Sequence, residues 1–242
     1  MRIPLVALVA TAGLLLVACG GDSTEAEAPD GTRWVGSGRV VVAVPDWWTT
    51  GETRCLLPVE DTVYWDSGAV ADCADVPARS EVREASTLAV LDAEHGYAEH
   101  LLTQMDPAGA VDGREVVELD GCDAWIPDVC RHVFAVPSEH VVLAVTIADE
   151  ADGDYQEIRD SLRILPDGRT TVPLDIHGTT PTWGAEPAYV DHLTRALEDA
   201  GLQVEVATIP AEDLTPGSLL EVEPALGSVV DEGATVTVTV AG

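Results

Sequence analysis

The sequence predicts an α+β protein, an antiparallel sheet with packed helices followed by a small β-α-β-β unit. Three observations predict it. Between residues 34 and 165, short β-branched runs alternate with turn signals, and only two segments show helical periodicity. The string PDGRTT at 166–171 combines Pro, Asp and Gly into a linker signal, and it leaves two blocks of single-domain size, 34–165 and 172–242. In the second block, one amphipathic helix precedes strands in which valine alternates with polar residues.

In chain order, RVVVAV (39–44) is a strand that stops at Pro45. TVYW (62–65), TLAVLDA (87–93), VVELDG (116–121), RHVFAV (131–136) and HVVLAVTIA (140–148) follow it. Pro137-Ser138-Glu139 reads as the turn of a hairpin, and successive hairpins favour antiparallel pairing. Helices are expected from Tyr97 to Met105 and from Tyr155 to Leu165. The second of these puts Ile158, Leu162 and Leu165 on one stripe and stops before Pro166. In the second block a helix over 186–200 places Val190, Leu193, Leu197 and Ala200 on one face. Pro187 lies near its start and Gly201 just past its end. Strands over 203–209, 218–224 and 235–240 complete the unit. The last, TVTVTV, sends valines to one side and threonines to the other.

The chain begins differently. Arg2 is the only charge before an apolar run from Ile3 to Ala18. That run is short for a membrane span, which needs about 20 apolar residues, and it fits the apolar core of an export signal. Leu16-Val17-Ala18-Cys19 resembles the lipobox of bacterial lipoproteins. The resemblance implies cleavage before Cys19, diacylglycerol on its sulfur and a further acyl chain on the new amino terminus. One chain holds a protein at a membrane only marginally, whereas two or more anchor it. Residues 1–18 therefore read as a lipoprotein signal peptide and 19–33 as a lipidated, disordered tether, since 20–33 has no apolar periodicity. This reading places the protein on the extracytoplasmic face of the cell membrane.

Cysteine arithmetic agrees. Of Cys19, Cys55, Cys73, Cys122 and Cys130, lipidation removes the first and leaves four to pair. Three connectivities are open. Cys55–Cys73 and Cys122–Cys130 is the favoured one, because each pair is close in sequence across a turn-rich stretch, and each closure contributes about 2–3 kcal/mol in the chain-entropy model. No C-x₂-C exists for zinc or for thiol redox chemistry. The charge balance is 43 acidic residues against 12 arginines, a net charge of −31. Such a polyanion repels nucleic acid and anionic headgroups, which excludes nucleic acid as a partner and leaves the lipid on Cys19 as the membrane contact. Lysine and asparagine are absent and phenylalanine occurs once. All three have AT-rich codons, which points to the GC-rich genome of a Gram-positive bacterium of the actinobacterial kind.

Two further resemblances concern the blocks. VVVAVPDWW early and IRDSLRIL late give 34–165 an element order that resembles the Mog1/PsbP-like sandwich, which implies a non-enzymatic module. The string ALEDAGLQVEV…TPGSLLEVEPALGSVVDEGATVTVTV resembles the PASTA domain, a small β-α-β-β module of bacterial cell-wall proteins. The match covers 196–242 well: the Ala-Gly-Leu helix end, the Pro216-Gly217 turn, Pro224 with Gly227, and Gly233 before the last strand. Upstream, Val172-Pro173 and Gly178 resemble the family's opening with a residue inserted, and TTPTWGAEPAYVDHL (179–193) is several residues longer than the family's loop. The resemblance implies association with peptidoglycan, here without the avidity of linked copies.

Candidate site residues follow from surface chemistry. Trp183, in the lengthened loop, is a candidate ligand-binding aromatic. Trp47-Trp48 offers a sugar-stacking pair, although the strand end beside it favours at least one in the core. His95 and His100 are five apart, not the three or four that share a helix face, so no metal is expected there. DEADGDYQE (149–157) reads as acidic capping of a helix, without the spacing of a calcium loop. No G-x-S-x-G, H-E-x-x-H, P-loop or dinucleotide fingerprint occurs. The expectation is therefore a non-enzymatic lipoprotein with no cofactor and no metal, whose tail contacts peptidoglycan. Two alternatives stay open: a tail that is only a spacer beside a first block that binds a small molecule or an envelope protein, and a hydrolase of wall polymer.

Overall fold

A computed structural model describes residues 27–67, 76–94, 96–121, 123–126, 129–148, 152–175, 180, 184–211 and 213–242. Strands β1 (Thr32–Ser37) and β2 (Val40–Pro45) form a hairpin that pairs from Thr32↔Pro45 to Ser37↔Val40. The short strands β3 (Thr49–Thr50), β4 (Thr53–Arg54) and β5 (Leu57–Pro58) lead into β6 (Thr62–Trp65). Helix α1 (Arg79–Arg83), β7 (Thr87–Asp92) and α2 (Gly96–Leu102) follow. Next come β8 (Met105–Val111), β9 (Arg114–Leu119), β10 (Asp123–Ile126), β11 (Val129–Val136) and β12 (Val141–Thr146). Helix α3 (Asp152–Asp160) and β13 (Arg163–Ile164) end the first block.

The main sheet has the order β3-β6-β7-β12-β11-β9-β8, with β10 added beside β11. Period-two alternation sorts its side chains onto two faces. Val63, Trp65, Leu88, Val90, Phe134, Leu143 and Val145 pack with Val35, Val40, Val42 and Val44 of the β1–β2 hairpin and with Ile158 of α3. Tyr64, Ala89, Leu91, Val133, Ala135, Val142 and Ala144 pack with Ala98 and Leu101 of α2. With both faces covered, central strands become continuous apolar runs, and all six residues of β12 are buried.

Several expectations need correcting. The helix expected from Tyr97 to Met105 ends at Leu102, and Met105 opens a strand instead. The sheet is mixed: β3 runs parallel to β6, and β6 parallel to β7. The cause is the crossover that carries α1 between β6 and β7, a long connection of the kind parallel neighbours require. The helix expected to reach Leu165 stops at Asp160. Arg163 and Ile164 instead pair with Val41 and Val40, and the Leu165 amide donates to the Arg39 carbonyl at 2.8 Å. Pairing along the edge of β2 takes the place of a further helical turn. Strand β8 was not expected at all. It reads Met-Asp-Pro-Ala-Gly-Ala-Val, its middle is exposed, and it lies at the sheet edge, where Pro107 and the register shift before Gly109 are tolerated.

The second block comprises β14 (Arg169–Thr171), α4 (Pro187–Asp199), β15 (Gln203–Ile209), β16 (Leu219–Glu223), β17 (Val229–Asp231) and β18 (Thr235–Ala241). The order β15-β18-β16 makes one sheet, parallel between β15 and β18 and antiparallel between β18 and β16. Val190, Leu193 and Leu197 of α4 are buried, as are Val236, Val238 and Val240 of β18.

The stretch read as a linker, 166–171, contains β14, which pairs with β17 and sits in a seam joining the blocks. The Gly36 amide donates to the Gly227 carbonyl at 3.1 Å, and the Thr171 amide to the Gly38 carbonyl at 3.0 Å. Across the same seam, the Trp65 amide donates to the Thr180 hydroxyl at 2.8 Å. One apolar cluster continues from Val35 and Val42 through Val172 and Leu174 to Leu193 and Val236. Position 36 requires glycine because a Cβ there would lie 1.9 Å from the Val40 carbonyl oxygen.

Candidate functional site

The most buried charge among the described residues is Arg131, on β11 and wholly enclosed. Its Nη1 donates to Asp66 Oδ2 at 2.7 Å, and its Nη2 to Asp123 Oδ2 at 2.9 Å and to the Tyr97 hydroxyl at 2.6 Å. The Tyr97 hydroxyl in turn donates to Asp123 Oδ2 at 2.5 Å. Burial pushes the Tyr97 phenol up to about 12, against the opposing pull of Arg131. Burial works against the guanidinium charge, yet Tyr64, Asp66 and Tyr97 together hold its pKa above the ordinary value. This cluster ties β10, β11 and α2 to the residue after β6, and it lines none of the three clefts that follow. It is a fastener, and a pair of this kind is strongly destabilised by loss of one partner.

The first cleft, of about 540 Å³, lies against β8, β9 and α3 and is lined by Asp106, Glu118, Asp120, His132 and Tyr155. The His132 ring stacks on Tyr155 at 4.1 Å. The Tyr155 hydroxyl donates to Glu118 Oε1, and Arg159 Nε approaches Glu118 Oε2 at 3.3 Å. Burial and then the bond to Glu118 raise the Tyr155 pKa. Glu118 is thus held between a phenol and a guanidinium, with Asp106, Asp120 and His132 making up the rest of the polar lining.

The second cleft, of about 550 Å³, joins Trp47 to Glu60, Asp61, Glu81 and Glu84. Trp47 is 65% exposed while Trp48 is 4% exposed, so one ring of the pair lies in the core and the other outside. Asp61 accepts the Ser86 amide at 2.5 Å, and Glu81 accepts Arg54 at 2.7 Å and the Ala78 amide at 2.6 Å.

The third, of about 460 Å³, is a groove between α4 and the β15–β18 sheet. Asp191, Thr194 and Arg195 form its polar side, and Val190, Val206 and Val240 its apolar side. The helix turns Val190, Leu193 and Leu197 into the core, which brings Asp191 and Arg195, four residues apart, to one flank. Val206 is 54% exposed at the groove, and Ile209 is 49% exposed further along the same strand. Gly217, at a φ of 88°, closes the end against Pro187, whose ring a Cβ at position 217 would approach to 3.3 Å.

Of the residues singled out in the sequence, Cys19, Cys73, Cys122, His95 and Trp183 lie outside the described residues. Cys55 and Cys130 are disulfide-bonded. Among the described residues no group of three or more His, Cys, Asp or Glu is placed to hold a metal ion, and no helix is long and apolar enough to cross a membrane. Sequence reasoning missed Arg131, whose signal is a lone arginine inside an apolar strand. It also missed Arg195, whose signal is that no other arginine occurs in 172–242.

The PASTA domain family model matches residues 189–242. No curated protein matches the chain. Among solved structures, the entire extracellular region of the Ser/Thr kinase PrkC from Staphylococcus aureus is similar at 24% identity, over 35% of this chain and 28% of that one, with a TM-score of 0.24. No shared overall fold follows from that score. The stretch from α4 to β18, residues 189–242, is a PASTA domain.

Proposed function

We propose that this chain is a non-catalytic lipoprotein of the cell envelope, held to the membrane by acyl chains on Cys19 and touching peptidoglycan through its PASTA domain. The observation that carries the reading is the PASTA domain itself, with its α4–β15 groove open to solvent while its other side is committed to the seam. The lipobox-like Leu16-Val17-Ala18-Cys19 and the acidic tether after it support the anchor, and the proposed bridges Cys55–Cys73 and Cys122–Cys130 suit the oxidising side of the membrane. The threonine hydroxyls that line two of the clefts, Thr49 and Thr194, donate to the Asp61 and Val190 carbonyls, which supports binding over catalysis. The test is retention of the purified full chain on wall sacculi at low salt, with mass spectrometry of its first mature residue. Retention with an acylated Cys19 supports the reading. A chain that stays in the supernatant, or carries an unmodified sulfur, contradicts it.

The exposure of Trp47 favours a second reading, in which the tail is a spacer and the first block binds a small molecule or a partner. It predicts a ligand-dependent rise in melting temperature, by mass action, that Trp47→Ala abolishes.

A further inference from the structure

We propose that the cleft beside Trp47 receives a guanidinium group from outside the chain, with the Trp47 ring as its stacking face and Glu60 and Glu84 as acceptors for its N–H groups. This deepens the second reading above, in that the first block binds a ligand, and it is indifferent to what the tail contacts.

The first observation is how Trp47 is presented. Its neighbour Trp48 is buried in the core, and the two rings meet edge to face at 6.5 Å. Arg33 Nη2 donates to the Trp48 carbonyl at 2.9 Å, to the Thr49 carbonyl at 3.2 Å and to the Thr50 hydroxyl at 3.0 Å. The Thr49 amide donates to the Asp61 carbonyl at 3.0 Å. The backbone that follows Trp47 is therefore pinned, and the ring stands in solvent on a braced frame, which lowers the entropy lost when something stacks on it.

The second observation is the charge around the ring. The cleft is lined by Glu60, Asp61, Glu81 and Glu84, and no basic residue lines it. Asp61 and Glu81 are already engaged by the Ser86 amide and by Arg54. Among the described residues, nothing bonds to the carboxylates of Glu60 and Glu84, which are exposed. A ring face with two open carboxylates attracts a cation, and a net charge of −31 adds to that attraction.

The chain's own arginines show which cation suits such a setting. Arg163 lies over Trp34 at 4.9 Å, and Arg131 over Tyr97 at 5.5 Å. Arg159 lies over Phe134 at 5.3 Å while its Nε approaches Glu118 at 3.3 Å, one guanidinium held by a ring and a carboxylate together. Planar and weakly hydrated, a guanidinium can stack and donate at once, which a compact ammonium does less well. A neutral sugar would gain nothing from the carboxylates, and a zwitterion would bring its own carboxylate against them. Among the described residues no group is placed to hold a metal ion.

The experiment titrates the isotope-labelled full chain with N-acetylarginine amide, and with N-acetylcitrulline amide as its uncharged isostere, while indole and backbone N–H signals are followed by NMR. The arginine derivative should shift the Trp47 indole and the amides of Thr49, Glu60 and Glu84. The citrulline derivative should bind about tenfold more weakly, as loss of a charge-assisted contact predicts. Trp47→Ala should weaken binding about fivefold at the other cleft amides, and Trp47→Tyr should restore most of it. Glu60→Gln combined with Glu84→Gln should weaken it about tenfold. These side chains are exposed, so every variant should keep the parent melting temperature and a failure to bind is not a failure to fold. Methylguanidinium and an acetylated, amidated Gly-Arg-Gly peptide separate the two sources of the group: the probe that saturates the cleft at the lower concentration marks a free small guanidine or an arginine borne on a polypeptide. Equal binding of the citrulline derivative, an unaltered response in Trp47→Ala or in the double glutamine variant, or shifts as large at Asp106 and Asp120, the mark of a general counterion cloud, would each overturn the proposal. A response of Trp47 to N-acetylglucosamine but to no guanidinium would overturn it and leave the first block a binder of another ligand. No response at Trp47 to any of these probes would sink both.

Discussion

Strands β12 and β18 are both rich in valine, yet β12 buries every side chain and β18 mainly every second one. The difference reflects what covers each sheet. The first block packs layers on both faces of its main sheet and seals the enclosed Arg131 with two carboxylates and a phenol. The PASTA domain covers one face of its sheet with α4 and leaves β15 at the open edge, with Val206 and Ile209 in solvent. Apolar surface that pays for folding in one block is left free for contact in the other.

The comparison breaks most visibly at Arg131. Arg131→Ala strands Asp66 and Asp123 inside the first block, and urea unfolding of the full chain should show a loss of about 3–5 kcal/mol. A matched pair of truncations sharpens it. Leu143→Ala, in the doubly covered sheet, should lose about 2–5 kcal/mol, and Val206→Ala, at the groove, should stay within about 0.5 kcal/mol of the parent. Unequal effects of this size identify which surface is structural; equal effects would erase the distinction. Gly36→Ala attacks the seam, where the added methyl meets the backbone of Val40, and overpacking of this kind costs about 1–3 kcal/mol. Because the core is continuous, fluorescence and far-UV circular dichroism should still report one shared transition at a lower midpoint. Two separated transitions would mean that the blocks unfold independently.

The smallest expected effect is a pH dependence. The Tyr97 phenol titrates near 10 when unfolded and is pushed up to about 12 in the fold. Unfolding between those values releases a proton, so the stabilisation from the neutral phenol is fully present below pH 10 and is lost as pH rises toward 12. Urea midpoints measured across that window should fall more steeply for the parent than for Tyr97→Phe. Parallel slopes would contradict the assignment.

How much of this was legible in the sequence depended on which physics each feature uses. Thr62–Trp65 and Gln203–Ile209 were read to the residue, because β-branched alternation is a local signal. The parallel pairing of β6 and β7 was not, because it is decided by the crossover between them. Strand β14 hid inside PDGRTT, whose turn chemistry is real but whose next three residues are captured by β17 and the seam. Arg131 gave only a charge in an apolar run, with its partners 65 and 8 residues away. The PASTA domain was readable from its turn residues, but its groove was not. That groove depends on Asp191 and Arg195 standing unpaired beside Val206, which only the packing of α4 on β15 reveals.

Whether the PASTA groove is the surface that meets the wall is decided by mapping a soluble muropeptide mixture onto the full chain by NMR. Shifts should concentrate from Pro187 to Arg195 and at Val206, Gly217 and Val240. Shifts centred on Trp47 and Glu84, or on His132 and Tyr155, or absent throughout, would contradict it.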